Sequence, residues 1–162
     1  MKPAPFAILL LFMSLLLPAC SKGVDPQEHL AEIYIAALDS MVKLDEALNH
    51  EMKYIAIDMS TFKDVDESAK EQIAVYFKEK YKVEVMDATF DQLKEKGLFN
   101  QDTLSLAGIL LRIEEADFVS SKEVLFEGSK YKSGLGAIGV KSIVHFKDEQ
   151  WGIKESKMTW IS

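Results

Sequence analysis

Cysteine and arginine are almost missing from this chain: Cys20 and Arg112 are the sole examples among 162 residues. One cysteine excludes disulfides and cysteine-built zinc centres. One arginine excludes clamps that hold phosphate or carboxylate with several guanidinium groups. His29, His50 and His145 stand at no metal-ligand spacing. Positive charge is outweighed, 19 basic residues against 26 acidic ones, for a net charge of -7 that drops by one further unit if Lys2 is lost with the leader. Such a surface repels phosphate backbones and anionic headgroups, which excludes nucleic acid as a partner and holds the domain off the bilayer.

The N-terminus carries the most specific signal. Lys2 precedes Phe6 to Leu17, an uncharged apolar run within the length of a signal-peptide core. As a helix it reaches about 18 Å, against roughly 30 Å of hydrocarbon, so it reads as an export leader and not as a permanent span. Leu17-Pro18-Ala19-Cys20 then has the form of a lipoprotein cleavage box, with Pro18 departing from the usual small residue. An unpaired thiol exported to an oxidising compartment is a hazard that lipidation removes. Acyl chains on Cys20, at about 0.8 kcal/mol per buried methylene, would hold the protein at the extracytoplasmic face of the cell membrane. The expected organisation is a signal peptide over 1–19, a lipidated cysteine and short tether over 20–25, and a single α+β domain over 26–162.

Asp25 and Pro26 open a helix whose apolar stripe is Leu30, Ile33, Tyr34, Ala37, Leu38, Met41, Leu44 and Leu48. Tyr54 to Asp58 is a short apolar run that fits a strand or a last helical turn. Asp64 and Glu67, at capping-box spacing, start a second helix with Ala69, Ile73, Phe77 and Tyr81 on one face. Lys82 to Met86 alternates like a short strand, and Thr89 to Gln92 opens a third helix that Gly97 closes. Four long alternating segments follow, Leu104 to Glu114, Glu123 to Lys132, Ala137 to Lys147 and Trp151 to Ile161. They predict N-terminal helices packed on a C-terminal four-stranded antiparallel meander, with a cystatin-like or nuclear-transport-factor-like cone as the nearest architecture.

Gly134, Gly136 and Gly139 match G-x-G-x-x-G, but that fingerprint needs a helix after the glycines, whereas Val140 to Phe146 alternates as a strand. The segment instead offers close backbone approach beside Lys130, Tyr131 and Lys132. Those six residues are the candidate ligand-binding set, with Tyr131 as its anchor. S-x-x-K occurs three times, from Ser40, Ser60 and Ser129, which measures chance in a lysine-rich chain. Glu114, Glu115 and Asp117 fit a solvated turn, and Trp151 and Trp160 fit core or rim packing. No residue pattern requires a cofactor or a metal.

Asp45-x-x-Leu48-Asn49, Tyr54 to Asp58, Val85 to Thr89, Gly128 to Gly139 and the terminal Met158 to Ser162 together resemble a group of small uncharacterised lipoproteins of Gram-positive bacteria. Some of that group are labelled peptide-transporter substrate-binding proteins. The resemblance implies an extracytoplasmic location and an association with peptide transport, and the glycine, lysine and tyrosine gathered in Lys130 to Gly139 point to a membrane-anchored, non-enzymatic binding or accessory module. Its partner would be a peptide, an envelope component or a membrane protein. The alternative is an envelope-directed hydrolase using acidic residues in a pocket beneath the helix, which requires a cavity with converging carboxylates.

Overall fold

The computed structural model describes residues 23–162, so the leader and Cys20 lie outside the described residues. The Asp25 carboxylate accepts a hydrogen bond from the Gln27 N–H at 3.0 Å, and a 3-10 turn over Pro26–His29 leads into α1 (Leu30–Lys43). Leu30, Ile33, Tyr34, Ala37, Leu38 and Met41 are its buried stripe. The chain then leaves the helix through Asp45 in the left-handed region, φ 47°, so Leu44 and Leu48 pack on the core from outside α1. After β1 (Tyr54–Asp58) comes α2 (Glu67–Tyr81). Its cap is Asp66, which accepts from the Ala69 N–H at 2.8 Å; Asp64, the expected cap, sits at φ 57°. β2 (Glu84–Asp87) precedes α3 (Phe90–Glu95), where Thr89 and Gln92 form a reciprocal capping box and Gly97, φ 70°, ends the turn. β3 (Phe99–Asn100) is followed by β4 (Ser105–Ser120), β5 (Glu123–Ser133), β6 (Gly136–Lys147) and β7 (Gln150–Ile161).

The strands form one mixed seven-stranded sheet of order β2-β1-β4-β5-β6-β7, with β3 beside the start of β4. This corrects the expected four-stranded C-terminal meander and, with it, the cystatin-like or nuclear-transport-factor-like cone. β1 and β2 are interleaved with the helices in sequence, and β1 runs parallel to both β2 and β4. The sheet is therefore a parallel α/β half fused to an antiparallel half, joined at β4. The physical reason lies in β1. All five of its residues are buried, so it presents a continuous apolar run with no alternation, as strands covered on both faces do.

Both faces are covered only in the parallel half. On one face Ile33, Tyr34, Leu38 and Met41 of α1, with Ile73 and Phe77 of α2, fill the space above Ile55, Ile57, Ile109, Leu111, Phe126, Val140 and Val144. On the other, Leu93 of α3 and Ala88 pack on Tyr54, Ala56, Leu106 and Leu110. Tyr34 lies at the centre of the larger layer, with its ring 5.2 Å from Phe126 and 4.3 Å from Phe62. Leu38, fully buried in the same layer, reports on this packing. Leu38→Ala is expected to lower the unfolding free energy by about 2–5 kcal/mol in urea titration, and a loss under about 1 kcal/mol would show that α1 is not docked as described.

Candidate functional site

Lys130, Tyr131 and Lys132 lie on β5 and Gly134 in the turn to β6, while Gly136 and Gly139 are inside β6. Their side chains diverge. Lys130 points into the helical layer, is fully buried, and donates from Nζ to the carbonyl oxygens of Val42 at 3.0 Å, Leu44 at 2.8 Å and Asp45 at 3.0 Å. These carbonyls stand at and just past the end of α1, where a helix has no internal donors left. A cation there also opposes the negative end of the helix dipole. Burial lowers the ammonium pKa to about 8, partly offset by the charges of Asp45 and Glu46. Lys130 is thus a strut between sheet and helix, out of reach of an external ligand.

Tyr131 points to the opposite face, where its hydroxyl donates to the Leu104 carbonyl at 3.2 Å and its ring meets Phe90 edge-on at 5.2 Å. Lys132 Nζ donates to the His50 carbonyl at 3.0 Å. The glycines make room for neighbours already present. A Cβ on Gly139 would lie 2.1 Å from the Trp160 Nε1, and one on Gly136 would lie 2.8 Å from the Ser133 hydroxyl oxygen. Within this segment the group left to solvent is Leu135, 92 % exposed at the β5–β6 turn. The segment therefore does not converge on one ligand, and its exposed tip lies at the sheet end where Ile138 faces Ile161.

The most elaborate polar cluster was not legible as a unit in sequence. Asp39 of α1, 7 % exposed, accepts from Lys43 Nζ at 2.7 Å on one oxygen, and from Lys80 Nζ at 2.6 Å and the Tyr81 hydroxyl at 2.7 Å on the other. Lys80 also donates to the Tyr76 hydroxyl at 3.0 Å. Burial would raise the Asp39 pKa, but the hydrogen bonds from Lys43, Lys80 and Tyr81 outweigh it and hold it below the usual value. Burial and the adjacent Asp39 push the Tyr81 hydroxyl up. All these partners bind one another, so the cluster is a clasp between α1 and α2. Its Asp39–Lys43 and Tyr76–Lys80 pairs, each at helical spacing, could be read beforehand, but not the link between the two helices.

A second polar ledge lies at the carboxyl ends of β1 and β2, a location where open α/β sheets hold ligands. There Asp58 accepts from the N–H and hydroxyl of Ser60 and lies 3.7 Å from Arg112 Nε, and Asp87 accepts from the Met59 N–H at 3.1 Å. Both carboxylates are engaged in fixing the turn after β1. Glu114, Glu115 and Asp117 are exposed within β4. Among the described residues no three metal-ligating side chains converge.

The remaining feature is the free edge of β7. This strand ends the sheet, and Ile153, Met158, Trp160 and Ile161 along it are exposed. A groove of about 250 Å³ lies between it and α1, lined by Asp39, Ser40, Lys43, Leu44, Ile153 and Ser156. Ser142 and Ser156 pair across β6 and β7; the Ser156 hydroxyl donates to Ser40 at 3.1 Å, while the buried Ser142 hydroxyl has no partner. No protein-family model, curated protein or solved structure matches the chain.

Lys130→Met keeps the apolar stem but orphans the Leu44 carbonyl and leaves those of Val42 and Asp45 with one donor each, from Asn49 and the Leu48 N–H, and is expected to lower stability by about 1–3 kcal/mol. Because the folded pKa lies below that of the unfolded chain, the folded protein releases this proton first. Wild-type stability relative to the variant should therefore rise between pH 8 and 10.5; a pH-independent difference in chemical denaturation would contradict the strut. Asp39→Asn is expected to cost about 1–3 kcal/mol at pH 7. The carboxylate pKa is lowered on folding, so this contribution exists above pH 3.8 and disappears as pH falls through the folded value. Urea titrations at pH 7 and pH 3 should show the gap narrowing in acid; an unchanged gap would rule out the clasp.

Proposed function

We propose that the protein is an extracytoplasmic lipoprotein, anchored through lipid on Cys20, whose domain acts as a non-enzymatic binding or accessory module. An association with peptide transport follows the resemblance to Gram-positive lipoproteins. The observation that carries the binding reading is the outer edge of β7, a 12-residue strand paired on one side to β6 and bearing exposed Met158, Trp160 and Ile161. Free strand edges are templates for added backbone. Leu135, at the same end of the sheet, extends the apolar surface beyond Ile161.

The hydrolase alternative places acidic residues in a pocket beneath the helix. Ile33, Tyr34, Ala37, Leu38 and Met41 fill that layer and are fully buried, and Asp39 beside it is bound to two lysines and a tyrosine. This favours the binding reading. Among the described residues no helix is long and apolar enough to cross a membrane, and the proposed attachment rests on Cys20.

Two measurements test the proposal. Detergent phase partitioning should carry the wild-type chain with the membrane and release Cys20→Ala, whereas wild type recovered in the cytosol with its leader attached would refute the anchor. A photo-crosslinking amino acid replacing Trp160 should capture a protein in intact cells, while the same group at exposed Val119 should not; equal capture, or none, would refute the β7 contact.

A further inference from the structure

The β7 edge has a feature of its own that selects an occupant. We infer that this edge, read above as the contact surface, pairs antiparallel with β7 of a second copy of the chain, with Ser156 on the twofold axis. The inference rests on that reading and goes beyond it by naming the partner.

A twofold axis normal to the sheet passes through a residue opposite itself and keeps the helical faces of both copies on one side. Each residue must therefore meet one from the same face. With Ser156 on the axis, Glu155 meets Lys157 of the other copy and Lys157 meets its Glu155. Both face away from the helices, since their neighbour Ser156 faces α1. Within one chain the two already lie 3.4 Å apart, and Lys157 stands opposite Lys141 in β6, whose own partner is Glu127 at 2.6 Å. Pairing would close a square of alternating charges. Axes through Lys154, Glu155 or Lys157 would each set a charge opposite its own kind, which is destabilising.

The flanks fit the same register. Gly152 would meet Trp160, both on the face away from the helices; a Cβ at Gly152 would touch nothing, so space is open for an indole there. Trp160 already lies over Gly139 on its other side, so the ring would be held between two glycine positions. Trp151 would meet Ile161, both on the helical face, because Trp151 joins the core and Ile161 pairs with buried Ile138. Two bulges interrupt β7, one between Ile153 and Glu155 and one between Met158 and Trp160. Placed on either side of Ser156, they shift the alternation once in each half, which keeps faces matched at both ends. Face-matched pairing covers Glu155 to Lys157 at the centre and Trp151 and Gly152 against Trp160 and Ile161 at the ends; between them, at the bulges, Lys154, which reaches Glu123 on the far face, and Met158, which pairs with Val140 on the helical face, point apart. Lipid anchoring would further confine both copies to one surface and raise their effective concentration.

Disulfide trapping of the full chain in native membranes tests this register. Ser156→Cys, opposite itself across the axis, should give a disulfide-linked species of twice the chain mass under mild oxidation, at least about tenfold above Val119→Cys and above wild type. Adding Lys157→Glu should cut that yield about fivefold or more by facing Glu155 with a like charge, and adding Glu155→Lys to that variant should restore it. Yield at position 156 equal to that at 119, or no recovery in the double charge swap, would overturn the pairing. If the Trp160 crosslinker captures a different protein while position 156 yields no dimer, the second copy is excluded and the contact edge stands; silence at both removes both.

Discussion

The end of α1 has carbonyl groups that no helical N–H can reach, and the ammonium of Lys130 supplies their donors from the middle of β5. This contact links elements more than 80 residues apart in sequence and fixes where α1 lies over the sheet. Asn49 strengthens the same junction by donating to the Val42 carbonyl at 2.8 Å. The left-handed turn at Asp45 directs the chain away from the helix while presenting its own carbonyl to Lys130. A buried cation is costly unless its protons are bound, and three acceptors bind all three.

With that end fixed, the rest of the helical layer follows. Asp39, one helical turn before Lys43, reaches Lys80 and Tyr81 and thereby docks α2 beside α1. The two contacts have opposite polarity: a lysine satisfies carbonyls at the helix end, and a carboxylate gathers cations and a hydroxyl on its flank. Between them the apolar residues of both helices close over β1, β4, β5 and β6. α1 packs on β7 as well, and the layer ends there, with an open groove between the helix and this strand. Function is proposed to lie where the layer ends, because the parallel half is sealed on both faces and its polar groups are engaged in turns and caps.

Elements with a periodic signal or a local capping cause were readable in the sequence. The stripe of α1, the box formed by Thr89 and Gln92, and the alternation of the segments from β4 to β7 all depend on residues close in the chain. The mixed sheet was not readable, because parallel pairing of Tyr54–Asp58 with β2 and β4 depends on residues far apart and leaves no alternation in a strand buried on both sides. The candidate segment shows the same limit. Lysine, tyrosine and glycine between two strands resemble a ligand loop in composition. Alternation along β5 sends Lys130 inward and Tyr131 to the other face, while Trp160 occupies the space left by Gly139. A hint was available: a lysine at an inward position of an alternating strand needs acceptors, and the end of a helix has them. The expected meander already put its last segment, Trp151 to Ile161, at an edge, but no local pattern marked that edge as a contact surface.

The account depends on Lys130 being sequestered with its charge bound by the end of α1. Brief acylation of the folded protein with an amine-reactive ester, read residue by residue by mass spectrometry, tests this directly. Exposed Lys43 and Lys154 should be modified readily, and Lys130 should stay unmodified until the protein is unfolded. Modification of Lys130 in the folded state at the rate of those surface lysines would contradict the account.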